Sequence, residues 1–325
     1  MNHNPKSESQ SLHLGTSSNL PLVSTIIPAY QHEKYVAAAI ASVADQTYPN
    51  MELIVVDDGS RDSTASVIES VLERYKSRFK RLEFRSRPNK GLSATVSEGI
   101  SWSNGEYIQF LASDDSYEPR KTETQVSLLQ ADPQAVGAFS GFWTINADDK
   151  VQNVESCEKT QRVDFSSVFL SETPVLKPGS AMYRSDRLKS VVLDPTNGLE
   201  DLQIFLGCLR PGGIFIVTPD LLFRHRSHEG NTSSIQNAMH LHGLARRVLK
   251  MHSDHPLYPK VLLESYLIQF YQLSIHHKKI ALTLLFRAAR CWRHRKFCLG
   301  LVRLATPVAI YDLLSREIAK RKLRH

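Results

Sequence analysis

The chain has 325 residues, of which 42% are hydrophobic and 22% charged. That is enough for one large domain, or a domain with an appendage, around a real core, and it excludes a chain too polar to fold. The net charge of +7 is concentrated late, where about a dozen Lys and Arg follow His276 against only Asp312 and Glu317. Such an end suits either a solvated helical face or an anionic partner.

Met1 to Leu20 is rich in Ser, Asn and His and lacks an apolar signal-peptide core, so residues 1–20 are expected to form a disordered tail. Cys157, Cys208, Cys291 and Cys298 lack metal-type spacing and are read as reduced thiols in a reducing compartment. Val23 to Ile27, ending at Pro28, is a β-branched run of the kind buried on both faces of a parallel sheet. Val36, Ala37, Ile40, Ala41 and Ala44 then recur at helical spacing up to Tyr48-Pro49. Leu53 to Val56 is a second buried strand. It runs into Asp57-Asp58-Gly59-Ser60, and a helix burying Ala65, Ile68, Val71 and Leu72 follows.

Leu82 to Phe84 is a weaker strand, Gly91 to Trp102 a helix, Tyr107 to Leu111 a strand and Thr122 to Ala131 a helix. This alternation predicts an α/β fold, a mostly parallel Rossmann-like sheet with helices on both faces, whose ligands bind beyond the carboxyl ends of the strands. Ala29-Tyr30, Asp57-Asp58 and Asp114-Asp115 fall at those ends. Adjacent aspartates repel unless a cation sits beside them, and hard oxygen ligands suit Mg²⁺ or Mn²⁺, which would also hold nucleotide phosphates. A solvated turn capping the next helix is the structural alternative.

Phe139 to Ile145 reads as a strand and Ala147 to Lys159 as a polar loop. A further loop, Pro178 to Tyr183, feeds a strand. Glu200-Asp201 then opens a helix carrying Leu202, Phe205, Leu206 and Leu209. Gly213 to Val217 and Leu221 to Phe223 read as two late strands, and Arg224 to Asn231 as a cationic loop. Beyond Met239 the pattern is helical. Ile280 to Arg303 interleaves Leu, Phe and Trp with Arg and Lys, as in a helix lying on an anionic membrane surface or packed on another protein face.

Taken in order, Val23 to Tyr30, Asp45 to Pro49, Val56 to Thr64, Asn89 to Ala94, Gly105 to Asp115 and Glu200-Asp201 resemble family 2 glycosyltransferases of the GT-A fold. The resemblance covers about Leu22 to Ser234 and implies a glycosyltransferase domain over residues 21–236, with 237–325 as a basic helical region. It implies an inverting, metal-dependent enzyme with a nucleoside-diphosphate sugar as donor, UDP-sugar favoured. The acceptor would be a glycan or lipid-linked polysaccharide intermediate. Pro28, Ala29 and Tyr30 would contact the nucleobase, Asp57 and Asp58 the base edge and ribose, and Asp114 the ribose or sugar. Asp115 would hold Mg²⁺ or Mn²⁺, Arg226 and His228 would meet the diphosphate, and His228 could complete the metal shell. Asp201 would be the catalytic base with Glu200 beside it, either carboxylate being able to serve.

A cytoplasmic enzyme is expected, at the inner face of the membrane if the basic tail binds lipid, with no nucleic-acid partner. Two departures stand out. Gln31 occupies a position where relatives often have Asn, and Thr95-Val96-Ser97 stands in place of Ala-Arg-Asn, which removes a cation near the nucleotide. The alternative reading is an inactivated GT-A domain serving as a glycan- or nucleotide-binding scaffold.

Overall fold

The computed structural model describes residues 20–196, 199–228 and 238–308. The expected tail, apart from Leu20, lies outside the described residues, as do Glu229 to Asn231 of the expected cationic loop. The described residues group into two compact units. The first comprises the chain up to Arg162 with Pro174–Val191 and Gly213–Ser227, and the second comprises Val163–Thr173, Val192–Gly212 and the chain from His228.

The first unit is built on a sheet whose strands β1 (Val23–Ala29), β2 (Met51–Asp57), β3 (Arg81–Ser86) and β4 (Tyr107–Phe110) run parallel in the order β3-β2-β1-β4. All seven residues of β2 are buried, as are six of the seven in β1, which is why these segments read as unbroken apolar runs. Helices α1 (Val36–Ala44), α2 (Thr64–Arg74) and α3 (Leu92–Trp102) make the crossovers. Ile68, Val71 and Leu72 of α2 are buried as the periodicity predicts, whereas Ala65 is only half-buried. Gly99 of α3 lets the helix close on the sheet, since a Cβ there would lie 2.5 Å from the Ile26 side chain.

Beyond β4 come the short β5 (Ser116–Tyr117), α4 (Lys121–Ala131), β6 (Ala135–Ile145), β7 (Val151–Glu155) and β8 (Gln161–Val163). Two sequence expectations need correction here. The segment 147–159 is not all loop, because β7 pairs antiparallel with β6 while showing mostly exposed side chains. The two late strands are a single β10 (Ile214–Arg226), parallel to β6 and irregular around Pro219-Asp220, so Arg224 to Arg226 are strand residues. Between them α5 (Phe165–Phe169), β9 (Met182–Arg184), α6 (Ser185–Lys189) and α7 (Glu200–Leu209) complete this part of the chain. β9 runs antiparallel to both β4 and β6 and bridges the two halves of the sheet.

One buried polar cluster lies within this unit. The Lys121 ammonium, with no exposed surface, donates to Gln109 Oε1 and Gln125 Oε1, both at 2.8 Å, and to the Ala181 carbonyl at 3.3 Å. It also sits 4.1 Å from the centre of the Tyr117 ring. Burial pushes its pKa well below the usual lysine value, and the three acceptors meet its three N–H groups.

The second unit is helical: α5 and α7, then α8 (Ala238–Lys250), α9 (Tyr258–Leu273), α10 (Lys278–Ala288) and α11 (Arg295–Ala305). Phe165 of α5 lies against the rings of His252 and His255. Leu267, Phe270 and Leu273 of α9 pack with Ala281, Leu284 and Ala288 of α10 and Phe297 of α11 as a small core of their own.

Candidate active site

The sheet order places β1 between β2 and β4, so their carboxyl ends lie side by side. There Asp58 N donates to the Ala29 carbonyl at 2.8 Å, which ties the end of β2 to that of β1. Tyr30 follows and is 41% exposed. Gln31 adopts φ of 53°, a left-handed conformation that Asn tolerates better than Gln. Its N–H is taken by Ser60 Oγ at 2.9 Å, and that of His32 by Thr64 Oγ1 at 2.9 Å.

Asp57 is buried and holds its own turn, accepting from Ser60 N at 3.2 Å and from Ser86 Oγ at 2.8 Å. Asp58 accepts from Lys90 N at 2.8 Å, from Gly91 N at 2.9 Å and from the Arg87 guanidinium. Arg87 also reaches Glu98 at 2.7 Å and Thr95 Oγ1 at 2.9 Å. Burial alone would lower the Arg87 pKa, but hydrogen bonds to Glu98 and Asp58 outweigh it and raise it. The run after Gly91 carries no cation, Thr95-Val96-Ser97 standing there. Arg87 supplies one beside Asp58 from the loop after β3, and its signal was a basic residue directly beyond a parallel strand.

Hydrogen bonds from Lys90 and then Arg87 hold the Glu98 carboxyl below its usual value of 4.5, against the opposing effect of burial. A carboxyl depressed in the folded state contributes stability that is full above its unfolded pKa and lost as pH falls through the folded one. Glu98→Gln is therefore expected to lower the melting temperature at pH 7 and to leave it less changed near pH 3, as read from melting curves across that range.

Asp114 and Asp115 are both buried just beyond β4. Asp115 Oδ1 accepts from Arg226 N at 2.8 Å and lies 3.2 Å from His225 Nδ1. Burial raises the Asp115 pKa, and the neighbouring Asp114 adds to it, while His225 and the Arg226 N–H oppose. His32, which is not among the expected site residues, has Nδ1 2.8 Å from Ser113 Oγ and 3.9 Å from Asp114 Oδ1. Its signal was its position three residues beyond β1, at the same sheet end as the aspartates. Within the first unit, the His32 imidazole and the buried Asp114 carboxylate thus offer two donors of the kind a divalent cation such as Mn²⁺ accepts.

Arg226 is buried, with its guanidinium directed into the first unit. It donates to the carbonyls of Asp114 at 2.9 Å and Asn146 at 3.0 Å and to Asp149 Oδ1 at 2.6 Å, and lies 4.9 Å from the centre of the Tyr35 ring. It thereby clamps the backbone that carries the two aspartates. Pro28, Ala29, Tyr30, Asp57, Asp58, Asp114, Asp115 and Arg226 thus all belong to the β1, β2, β4 and β10 ends of the first unit. His228 begins the second unit, two residues past Arg226, and is half-buried. Glu200, buried, and Asp201, exposed, form the first turn of α7 in the second unit. Both carboxylates thus stand at the partially positive end of a helix.

A mostly parallel sheet with acidic pairs at its central carboxyl ends and a helical region after it accords with a glycosyltransferase domain of the GT-A type. The chain belongs to glycosyl transferase family 2, whose family model matches residues 24–190. An uncharacterized glycosyltransferase of Rickettsia typhi is 30% identical over 223 residues, 66% of this chain and 66% of the relative. This chain thus spans just under two thirds of that protein's length. Among solved structures, Staphylococcus aureus TarS 1-349 in complex with UDP-GlcNAc superposes with a TM-score of 0.60 at 19% identity, over 75% of this chain and 71% of that one. The mannosyltransferase PcManGT of Pyrobaculum calidifontis, in complex with GDP-Man and Mn²⁺, gives 0.57 at 17% identity, over 93% and 81%. Both likenesses are of fold.

Proposed function

We propose that this glycosyltransferase is inverting and metal-dependent, and that it moves a sugar from a nucleoside-diphosphate sugar to a hydroxyl of a glycan or lipid-linked polysaccharide intermediate. The observation that carries the reading is the side-by-side arrangement of Asp58, exposed Tyr30 and the Asp114-Asp115 pair at the ends of adjacent parallel strands. Tyr30, with the backbone of Pro28 and Ala29, offers the nucleobase a stacking surface. Asp58 already accepts from three protein donors, and a carboxylate takes about four. One further N–H, such as the imino hydrogen of uracil, completes it, which favours a UDP-sugar. Asp57 and Asp114 serve the ribose and sugar.

Asp115 and His228 would hold Mg²⁺ or Mn²⁺, and His32 and Asp114 of the first unit offer further donor atoms. When bound, such an ion offsets the negative charge that grows on the departing diphosphate. The mannosyltransferase PcManGT, of similar fold, is in complex with GDP-Man and Mn²⁺, which supports this choice. Asp201, or Glu200 beside it, takes the proton of the acceptor hydroxyl as its oxygen attacks the anomeric carbon opposite the diphosphate, so that one displacement inverts the anomer. Arg226 acts as a positioning residue for the aspartate turn, and His228 is the partner for phosphate oxygens. We place the enzyme in the cytoplasm at the inner face of the membrane.

Thermal shift tests the donor. UDP with Mn²⁺ at about 100 times its dissociation constant is expected to stabilise the protein by about 2.7 kcal/mol. ADP and CDP, whose bases lack a ring N–H at the position uracil offers, are expected to give smaller shifts. Equal shifts for all nucleoside diphosphates would overturn the base-reading role of Asp58.

A further inference from the structure

We propose that the outer faces of α10 and α11 form a docking surface for an anionic lipid bilayer. The proposal deepens the lipid-linked acceptor reading above and rests on it only for its purpose, since lipid binding can be measured without any sugar transfer.

The two helices and the turn between them divide their apolar residues between two jobs. Ala281, Leu284 and Ala288 of α10 and Phe297 of α11 point inward and pack against Leu267, Phe270 and Leu273 of α9. A second set points outward: Leu282 is 50% exposed, Phe286 85%, Trp292 59% and Val302 62%. A helix that only had to cover α9 would place polar side chains at these outer positions.

Cations share the outward faces. Lys279, Leu282, Phe286 and Arg290 follow one another at spacings of three, four and four residues and are all exposed, as are Arg295, Leu299 and Val302 at spacings of four and three. Between the helices, Trp292 is exposed and Arg293 stacks on its ring, 4.6 Å from the centre. From His276 to Val308 the sequence contains eight Lys and Arg and no Asp or Glu. Large apolar side chains flanked by Lys and Arg suit an interface where rings enter the acyl boundary and cations remain among phosphate headgroups. An apolar protein partner would leave those cations desolvated, and a second copy of this chain would bring like charges face to face.

The helices lie on such a surface rather than cross it. Each has 11 residues, about half of what a bilayer core requires. Among the described residues no helix is long and apolar enough to span a membrane.

Flotation of the full chain with vesicles tests the proposal. Binding is expected to phosphatidylcholine vesicles containing about a third phosphatidylglycerol and not to phosphatidylcholine alone, and to fall at high salt. Lys279→Gln with Arg290→Gln is expected to weaken binding about fivefold per charge removed. Phe286→Ser with Trp292→Ser is expected to weaken it at least tenfold, with an unchanged melting temperature because both side chains lie outside the core. Equal flotation of the wild type and the Phe286/Trp292 variant would overturn the docking face. So would absence of binding to anionic vesicles, or a dimer in light scattering that the same variant dissociates, which would assign the face to a second copy. Release of nucleoside diphosphate with a soluble acceptor is read separately. Its loss in all variants and the wild type would count against the transferase assignment and leave the lipid result standing.

Discussion

Asp201→Asn is expected to lower the rate of sugar transfer by about 10²–10⁴-fold, the span typical of a missing general base, while leaving donor binding unchanged. The side chain is exposed at the first turn of α7. Asn is close to it in shape and equally tolerated near a helix start, so stability should move by no more than about 0.5 kcal/mol. On the proposed mechanism, the change removes the proton acceptor. Single-turnover transfer together with a donor-binding isotherm checks both halves. Glu200→Gln is the necessary companion, because Glu200 is buried one residue earlier. If that variant loses transfer and Asp201→Asn retains it, the base is Glu200. If neither loses it, neither carboxylate draws off the proton.

Asp115→Asn is expected to cost about 10³-fold in kcat/KM and to abolish the rise in melting temperature that Mn²⁺ gives with UDP. The carbonyl of Asn can still accept from Arg226 N, where Asp115 accepts at 2.8 Å, so the turn keeps its anchor. What disappears is the negative charge. The metal-free fold bears a cost in burying that charge beside Asp114, as the raised Asp115 pKa records, and the Asn variant should therefore be no less stable than wild type without metal. A variant that is as stable as wild type, yet no longer stabilised by Mn²⁺ and UDP, separates loss of the cation from loss of fold. Full transfer by that variant would remove Asp115 from the site.

The strands that carry the aspartates were legible because burial on both faces forces an unbroken β-branched run, as in Leu53 to Val56. β7 was not, because Val151 to Val154 are exposed and the strand exists through its hydrogen bonds to β6, which leave no apolar alternation to read. β10 was split in two at Pro219-Asp220, where the ladder shifts register without ending. The acidic pairs could be assigned to strand ends from sequence, but their partners could not. Arg226 meets the turn at Asp114 across more than a hundred residues, and Arg87 meets Asp58 across 29. Pairings at such separations leave no periodic trace. The basic character of the late helices could be read from the sequence, whereas the division of their apolar residues between core and outer face required coordinates.

The enclosed ammonium of Lys121 constrains how this chain can diverge. Exchanging it for a neutral aliphatic residue would strand the amide oxygens of Gln109 and Gln125, and exchanging either glutamine for leucine would strand the charge. No single replacement in the trio is mild, and a concerted switch of all three to hydrocarbon would still strand the Ala138 and Ser180 carbonyls that the Gln125 amide serves. Homologues should thus retain the set entire, the historical imprint of a lysine sealed against the sheet that carries the acidic pairs.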